Sequence, residues 1–369
     1  MKTQNAKIAV VHDHLGWSGG GERTALTIAL ALEADFITIH ANPNTFPEYQ
    51  KKLGNRLKIL STRPLDKEII RFFWQRLVLW QNRKLLNNYD IIIASGIAVV
   101  GGVGCYGKKN ASKILYCHTP PRRIYDLYEV SRAGYKWFLR PLFSVFSKYW
   151  DITYRSALKN YHYIIANSEN VKSRLRKYTG IEAEEVIWPP ISTDKFQWLA
   201  QGDYFLSWGR LDEAKRIELI VEAFQKMPDK KLIVASGGPR YEKILEMSEG
   251  YDNIQVLGWI EDQKLFELVG NCLAAIYIPI DEDAGMTHLE ANAAGKFIIG
   301  VDEGGLSESI IDNETGFKIK ANPNVADLIE AVQKTTPEFC LAKKETCIAH
   351  AQKFDRKIFE EKIKKTISQ

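Results

Sequence analysis

The stretch Pro279-Ile280-Asp281-Glu282-Asp283-Ala284-Gly285-Met286-Thr287-His288-Leu289-Glu290-Ala291-Asn292-Ala293-Ala294-Gly295 follows the apolar segment Cys272–Ile280 and runs into an alanine-rich one. A short continuous apolar run reads as a buried strand and the small-residue segment as a helix, so the polar residues fall where a strand hands over to a helix. Glu282 stands at the strand end. Gly285, three residues on, permits a tight turn that lets the amides of Met286 and Thr287 point outward together. Unpaired N–H groups at a helix opening attract anions. Glu290 is expected about two turns into the helix, where a carboxylate accepts hydrogen bonds from a diol such as a ribose. Two acids around an anion-binding turn suit a nucleotide that carries a neutral, hydroxyl-rich group. The pair alone would equally describe a solvated acidic face. With an apolar strand before it and Ala291, Ala293, Ala294 and Gly295 behind, it describes a helix packed closely on a sheet, and Glu290 becomes a half-buried acid that needs a partner.

Upstream, the strand Tyr204–Trp208 is followed by Gly209-Arg210-Leu211-Asp212-Glu213-Ala214-Lys215-Arg216. Arg210 at a strand end and Lys215 at a helix start can close on one diphosphate from two sides, the first as a planar fork and the second as a point charge. Arg216 reads as a solvated helix end. Leu232–Ala235 with Gly237-Gly238-Pro239 repeats the strand-then-glycine pattern, and Ile254–Ile260 reads as an edge strand whose end, at Ile260, lies near the base of a nucleotide. Downstream, the strand Phe297–Gly300 precedes the turn Asp302–Glu308, in which Glu308 is placed to cap or orient the loop.

The first half alternates in the same way. Between the strand Ile8–Val11 and the helix Glu22–Leu32 lie His12, Asp13, His14 and a glycine cluster, where Gly20 and Gly21 let a phosphate or sugar approach the backbone. The two histidines are read as bracketing Asp13 rather than as metal ligands. His118 follows the strand Lys113–Cys117, where an imidazole can donate to a sugar hydroxyl or a phosphate oxygen. Gly16-Trp17-Ser18-Gly19-Gly20 matches a hydrolase nucleophile elbow in letters only, because a single strand precedes Ser18. Gly102–Lys108 starts like a phosphate loop, but Lys109 stands where a Ser or Thr should be, and a flexible loop is expected. The dinucleotide pattern G-x-G-x-x-G is absent. Ile69–Leu86 and Tyr125–Tyr154 combine arginines with Phe, Trp and Tyr, which suits helices laid on the sheet, a membrane-contact face or a lipid-linked acceptor.

At 369 residues the chain exceeds one comfortable core, and the expected domains are residues 1–198 and 199–353 with a final helix in 354–369 crossing back to the first. Pro189-Pro190 stiffens the connection. The net charge of +5 favours anionic ligands or an anionic membrane without calling for nucleic acid. Five cysteines with no C-x-x-C pair point to a reducing compartment and away from structural zinc. No signal-peptide core is evident, and the uncharged run Ile91–Gly107 is broken by five glycines, so the expected place is the cytoplasm, as a soluble protein or peripheral on the inner membrane face.

The Glu282-to-Glu290 stretch resembles the E-x7-E signature of retaining glycosyltransferases of family 4, with Asp283, Ala284, Asn292 and Phe297 as departures that touch packing. Gly19–Arg23 resembles the family's G-G-A-E-R, His118-Thr119-Pro120 its H-T-P with arginines after it, and Gly209–Lys215 its G-R-L…K. The resemblance implies a GT-B fold, α/β, with two Rossmann-like domains facing across a deep cleft. It implies transfer of a hexose from a nucleotide-diphosphate sugar to a glycan or lipid-linked acceptor, with retention and without a metal. In that reading Arg210, Lys215 and the Gly285–Thr287 backbone hold the diphosphate, Glu282 the sugar hydroxyls and Glu290 the ribose. Gly20, Gly21 and His118 serve the phosphate and sugar, and Arg122 and Arg123 the acceptor. No cofactor is implied beyond the donor substrate. The 283–287 form looks most like mannosyltransferases of surface-polysaccharide or lipid-linked glycan assembly, which makes GDP-mannose the expected donor. A nucleotide-sugar epimerase of the same fold and a non-catalytic binding protein are the other readings.

Overall fold

A computed structural model describes residues 6–16, 19–63, 68–106, 108 and 110–368. Ser18 and Lys109, on which the hydrolase and phosphate-loop readings turn, lie outside them. Two compact units are formed, one by Met1–Pro189 with Phe359–Gln369 and one by Pro190–Ile358.

Among the described residues the first unit holds β1 (Ile8–Leu15), β2 (Asp35–Ala41), β3 (Leu57–Ile59), β4 (Ile91–Ser95), β5 (Ser112–Cys117), β6 (Tyr163–Ala166) and β7 (Glu185–Val186). They pair in parallel in the order β3-β2-β1-β4-β5-β6-β7. Ala9, Val10 and Val11 are wholly buried, as expected of a parallel strand with helices on both faces. One face is completed by Phe359, Ile363 and Ile367, four residues apart on the helix Arg356–Ser368, which join Val10, Phe36, Ile93 and Tyr116 in one apolar cluster. Across the sheet, the glycines expected in a flexible loop instead sit in the helix Ala98–Tyr106. They are there for packing. A Cβ on Gly102 would come within 2.3 Å of Leu79, and one on Gly104 within 2.8 Å of the Ala157 carbonyl, so helices Glu68–Gln81 and Arg140–Leu158 close directly onto that backbone.

The second unit holds β8 (Tyr204–Trp208), β9 (Lys231–Ala235), β10 (Ile254–Gly258), β11 (Ala274–Tyr277), β12 (Phe297–Val301) and β13 (Gly316–Ile319), parallel in the order β10-β9-β8-β11-β12-β13. β10 is an edge strand, as its sequence indicated. Each half is therefore a Rossmann-like sheet in which the strand order reverses once, between β1 and β4 and again between β8 and β11. At such a reversal the loops leaving the two central strands diverge to opposite faces and leave a crevice at the carboxyl ends.

The chain divides after Pro189, upstream of the 198/199 division read from the sequence, because residues 190–200 are tied into the second unit. Ile191 exchanges backbone bonds with Phe354 and Arg356, and the amides of Leu199 and Ala200 both donate to the Gly270 carbonyl. The buried Lys296 ammonium donates to the Ala200 carbonyl at 2.6 Å.

Candidate functional site

The crevice between β8 and β11 gathers most of the acids and cations singled out in the second half. β8 ends on Trp208, and Gly209, at φ +133°, turns the chain out of the sheet. The following loop is held against the segment after β11 by the Ile280 amide, which donates to the Ala214 carbonyl at 2.7 Å. Lys215 is thereby placed over the end of β11, where its ammonium donates to the Tyr277 hydroxyl at 2.9 Å and to Glu282 Oε2 at 2.5 Å. Burial works against the charge on Lys215, but Tyr277 and Glu282 outweigh it and hold the ammonium above the ordinary lysine range. Burial, and next the Glu282 charge, raise the Tyr277 phenol, so Tyr277 stays a neutral hydroxyl at physiological pH.

Glu290 is in the first turn of a short helix, Thr287–Ala293, and not two turns along it. The helix starts late because Asp281 (φ +40°) and Gly285 (φ +77°) spend the preceding residues on a tight irregular turn. The Glu290 side chain is buried, and Trp208 Nε1 donates to its Oε2 at 3.4 Å. The partner expected for a half-buried acid is thus an indole, which itself needs an acceptor when buried.

Arg210 and Arg216 exchange the environments expected of them. Arg210 is exposed, with Asp212 at 3.6 Å. Arg216 is half-buried: its guanidinium meets Glu303 at 2.9 Å and donates to the carbonyls of Ile278 and Pro279. The reason is its left-handed backbone (φ +51°), which turns the side chain inward under the β11 loop. Glu303 also accepts from the amides of Asp281 and Asn322. It is the acid that shapes this turn. Gly304 and Gly305 complete the support, since a Cβ on Gly304 would lie 2.5 Å from the Glu282 carbonyl oxygen and one on Gly305 2.6 Å from Ala284 Cα. Sequence reading missed Trp208, Tyr277 and Glu303. A tryptophan closing the apolar strand β8 and a tyrosine closing the apolar strand β11 were the available signals.

Beside this crevice, at the carboxyl ends of β9 and β10, lies a cavity of about 400 Å³ lined by Gly237, Gly238, Pro239, Tyr241, Glu242, Leu257, Gly258 and Trp259. Ile260 directly follows its rim.

The first unit repeats the pattern at its own reversal. Asp13 accepts from the amides of Ile97, Ala98 and Val99 at 2.8 to 3.1 Å and so caps the helix after β4. His118 Nε2 and Ser95 Oγ share a 2.7 Å hydrogen bond, and the His118 ring is 3.7 Å from where a Cβ on Gly21 would lie. Gly20 opens the helix Gly20–Ala31, so the glycine cluster and His118 are brought together. Burial, then the neighbouring His12, lower His118 to about 3, and burial lowers His12 to about 4, leaving both rings neutral. Glu22 folds back under Gly19, and burial raises its carboxyl to about 7. Arg122 is engaged by Asp126 at 2.7 Å, whereas Arg123 is exposed.

Comparison with known proteins agrees with these two halves. Residues 18–195 match the family model Glycosyltransferase Family 4, and residues 191–346 match Glycosyl transferases group 1. Alpha-1,3/1,6-mannosyltransferase ALG2 of Dictyostelium discoideum is 24% identical over 401 residues, covering 89% of each chain. Among solved structures, Anabaena HepE in complex with UDP and glucose superposes with a TM-score of 0.77 at 14% identity over 99% of this chain and 100% of that one. Sucrose-phosphate synthase from Thermosynechococcus elongatus does so with 0.77 at 16% over 98% of each. Two Rossmann-like sheets, matched in tandem by these two models, establish that this chain belongs to the family 4, group 1 glycosyltransferases and has the GT-B fold.

Proposed function

We propose that the enzyme transfers mannose from GDP-mannose to a hydroxyl of a glycan or lipid-linked acceptor, with retention and without a divalent metal. The observation that carries the transfer is the Lys215–Glu282 pair at the mouth of the β8/β11 crevice, with the exposed Arg210 on the loop that leaves β8. The bond between the anomeric carbon and the diphosphate breaks as the bond to the acceptor oxygen forms, and the acceptor proton passes to the departing phosphate. Negative charge grows on that phosphate. Lys215, kept cationic by its neighbours, and the fork of Arg210 meet it, with the Gly285–Thr287 backbone alongside. Glu282, oriented by Lys215, holds sugar hydroxyls. Glu290, oriented by Trp208, accepts from the ribose. The base occupies the cavity that ends at Trp259, with Ile260 next along the chain. The roles of Gly20, Gly21 and His118 towards the donor, and of Arg122 and Arg123 towards the acceptor, belong to the same proposal.

The choice of mannose is supported by the ALG2 relatives, whose names specify it. A screen of nucleotide sugars by thermal shift and turnover tests it: GDP-mannose should raise the melting temperature most. A larger shift with a uridine-based donor overturns the donor, and conversion of a donor to a new sugar nucleotide without acceptor would assign an epimerase instead.

A further inference from the structure

Two helices of the first unit carry apolar residues on their outer faces. Ile70, Phe73, Leu77 and Trp80 recur at helical spacing along Glu68–Gln81 and are 54%, 48%, 41% and 46% exposed. Leu142, Val145, Tyr149 and Ile152 recur with the same spacing along Arg140–Leu158 and are 58%, 68%, 44% and 58% exposed. Intervals of three, four and three residues put each set on one face. The opposite faces, with Phe72, Val78 and Leu79 on one helix and Phe143, Phe146 and Trp150 on the other, are buried in the core. The two outer stripes adjoin, because the Phe73 ring stacks on Tyr149 at 5.9 Å. Trp137 and Phe138, 79% and 55% exposed, extend the apolar surface at the start of the second helix. A soluble monomer rarely leaves a continuous patch of this kind uncovered.

Its charge is one-sided. Residues 68–86 contain four Lys or Arg and one acid, Glu68, and residues 136–155 contain four and one acid, Asp151, which Arg155 engages at 2.6 Å. Lys84, Lys136 and Lys148 are exposed. The Arg83 guanidinium lies over the Trp80 ring at 4.6 Å, and Arg76 over Phe72 at 4.9 Å, so cations interleave with the aromatics.

We propose that this face lays the first unit onto an anionic lipid bilayer, with the two apolar stripes at the acyl-chain boundary and the lysines and arginines among the headgroups. Amphipathic helices with aromatic and aliphatic residues on one face and cations beside them lie in that plane. Lysine and arginine near an anionic leaflet are each attracted to it, and interfacial Trp and Tyr suit the same depth. No described helix is long and apolar enough to cross a membrane. A second copy of this chain fits the face poorly, since self-pairing would set its cations against each other with little countercharge. The proposal is independent of the donor and acceptor.

The test is flotation of the full chain with vesicles of phosphatidylcholine alone and with about 30 mol% phosphatidylglycerol, at low salt and at about 0.5 M salt, where exposed charges are screened. The protein is expected to float with the anionic vesicles, at least about fivefold less with neutral ones, and less at high salt. Leu77→Asn with Val145→Asn should lower the bound fraction at least about fivefold, because two apolar contacts are lost while the buried faces stay intact. Lys136→Glu with Lys148→Glu should weaken binding and flatten its salt dependence. Leu341→Asn, an exposed leucine of the second unit, should bind as the parent does. Melting curves matching the parent's show that the variants are folded. The proposal is overturned if the parent does not float, if the Asn pair floats like the parent, or if gel filtration shows a dimer that the Asn pair dissociates.

Discussion

Lys215 and Glu282 lie 67 residues apart in sequence and meet at 2.5 Å, each leaving the carboxyl end of a central strand of the second sheet. The contact joins a cation that can neutralise a diphosphate to an acid that can hold sugar hydroxyls, so neither side chain is set independently. Lys215→Met and Glu282→Gln should each lower kcat by about 100-fold or more, the scale seen when a preorganised donor is removed. The double variant should be little worse than the poorer single one, because both break the same contact. Steady-state transfer kinetics decide this, and multiplicative losses would mean the two act separately.

Arg210 and Arg216 should separate binding from stability. Arg216→Ala takes the guanidinium from the half-buried Glu303 and from the carbonyls of Ile278 and Pro279, and is expected to cost about 1–3 kcal/mol in urea unfolding. Arg210→Ala removes an exposed side chain and should change stability by less than about 0.5 kcal/mol while weakening nucleotide-diphosphate affinity in calorimetry.

Two buried groups should tilt the pH dependence of stability in opposite directions. Glu22 is raised from 4.5 to about 7, so the folded form binds the proton more tightly; its stabilisation is full below 4.5 and is lost as pH rises through about 7. Glu22→Gln should therefore gain stability relative to the parent between pH 5 and pH 8. His288 is lowered from 6.5 to about 3, chiefly by burial, with its Nε2 and Ser309 Oγ 2.6 Å apart; its contribution is full above 6.5 and is lost as pH falls towards 3. His288→Gln should lose less stability than the parent on going from pH 7 to pH 4.5. Urea midpoints at these pH values check both signs.

Gly304 and Gly180 both have positive φ, at +59° and +74°, but differ in what surrounds them. A Cβ on Gly180 meets nothing within 4 Å, so Gly180→Ala should cost only the left-handed backbone penalty of about 1 kcal/mol. A Cβ on Gly304 would press on the Glu282 backbone. Gly304→Ala should cost more than Gly180→Ala in stability and lower kcat at least about tenfold by moving Glu282. Equal effects of the two substitutions in both measurements would show that the Glu282 turn does not depend on this support.

The sheets were legible because strands buried on both faces appear as unbroken apolar runs, as at Ile91–Ser95 and Phe297–Val301. β3 and β7, short and only partly buried, carry no such signal. Lys215 and Glu282 could be picked out by residue type and by their place after a strand. Their direct contact could not, since it depends on the spatial order of β8 and β11. Arg216 was misjudged for a related reason: a charge beside a helix start is normally solvated, and only its positive φ turns it inward. Gly102 and Gly104, within Gly102–Lys108, read as a loop because their purpose, close approach of other helices, lies in those helices and not in the run itself.

The placement of Phe359, Ile363 and Ile367 in the first unit has a consequence for biosynthesis. A ribosome releases Val10, Phe36 and Tyr116 early, yet the side chains that cover them emerge only after all of residues 190–358 have been made. The second unit is contiguous and can close as it emerges, while the first must wait with one face of its sheet uncovered. The half made earlier is thus the one that finishes folding last, and it is the half that a chaperone would be expected to hold.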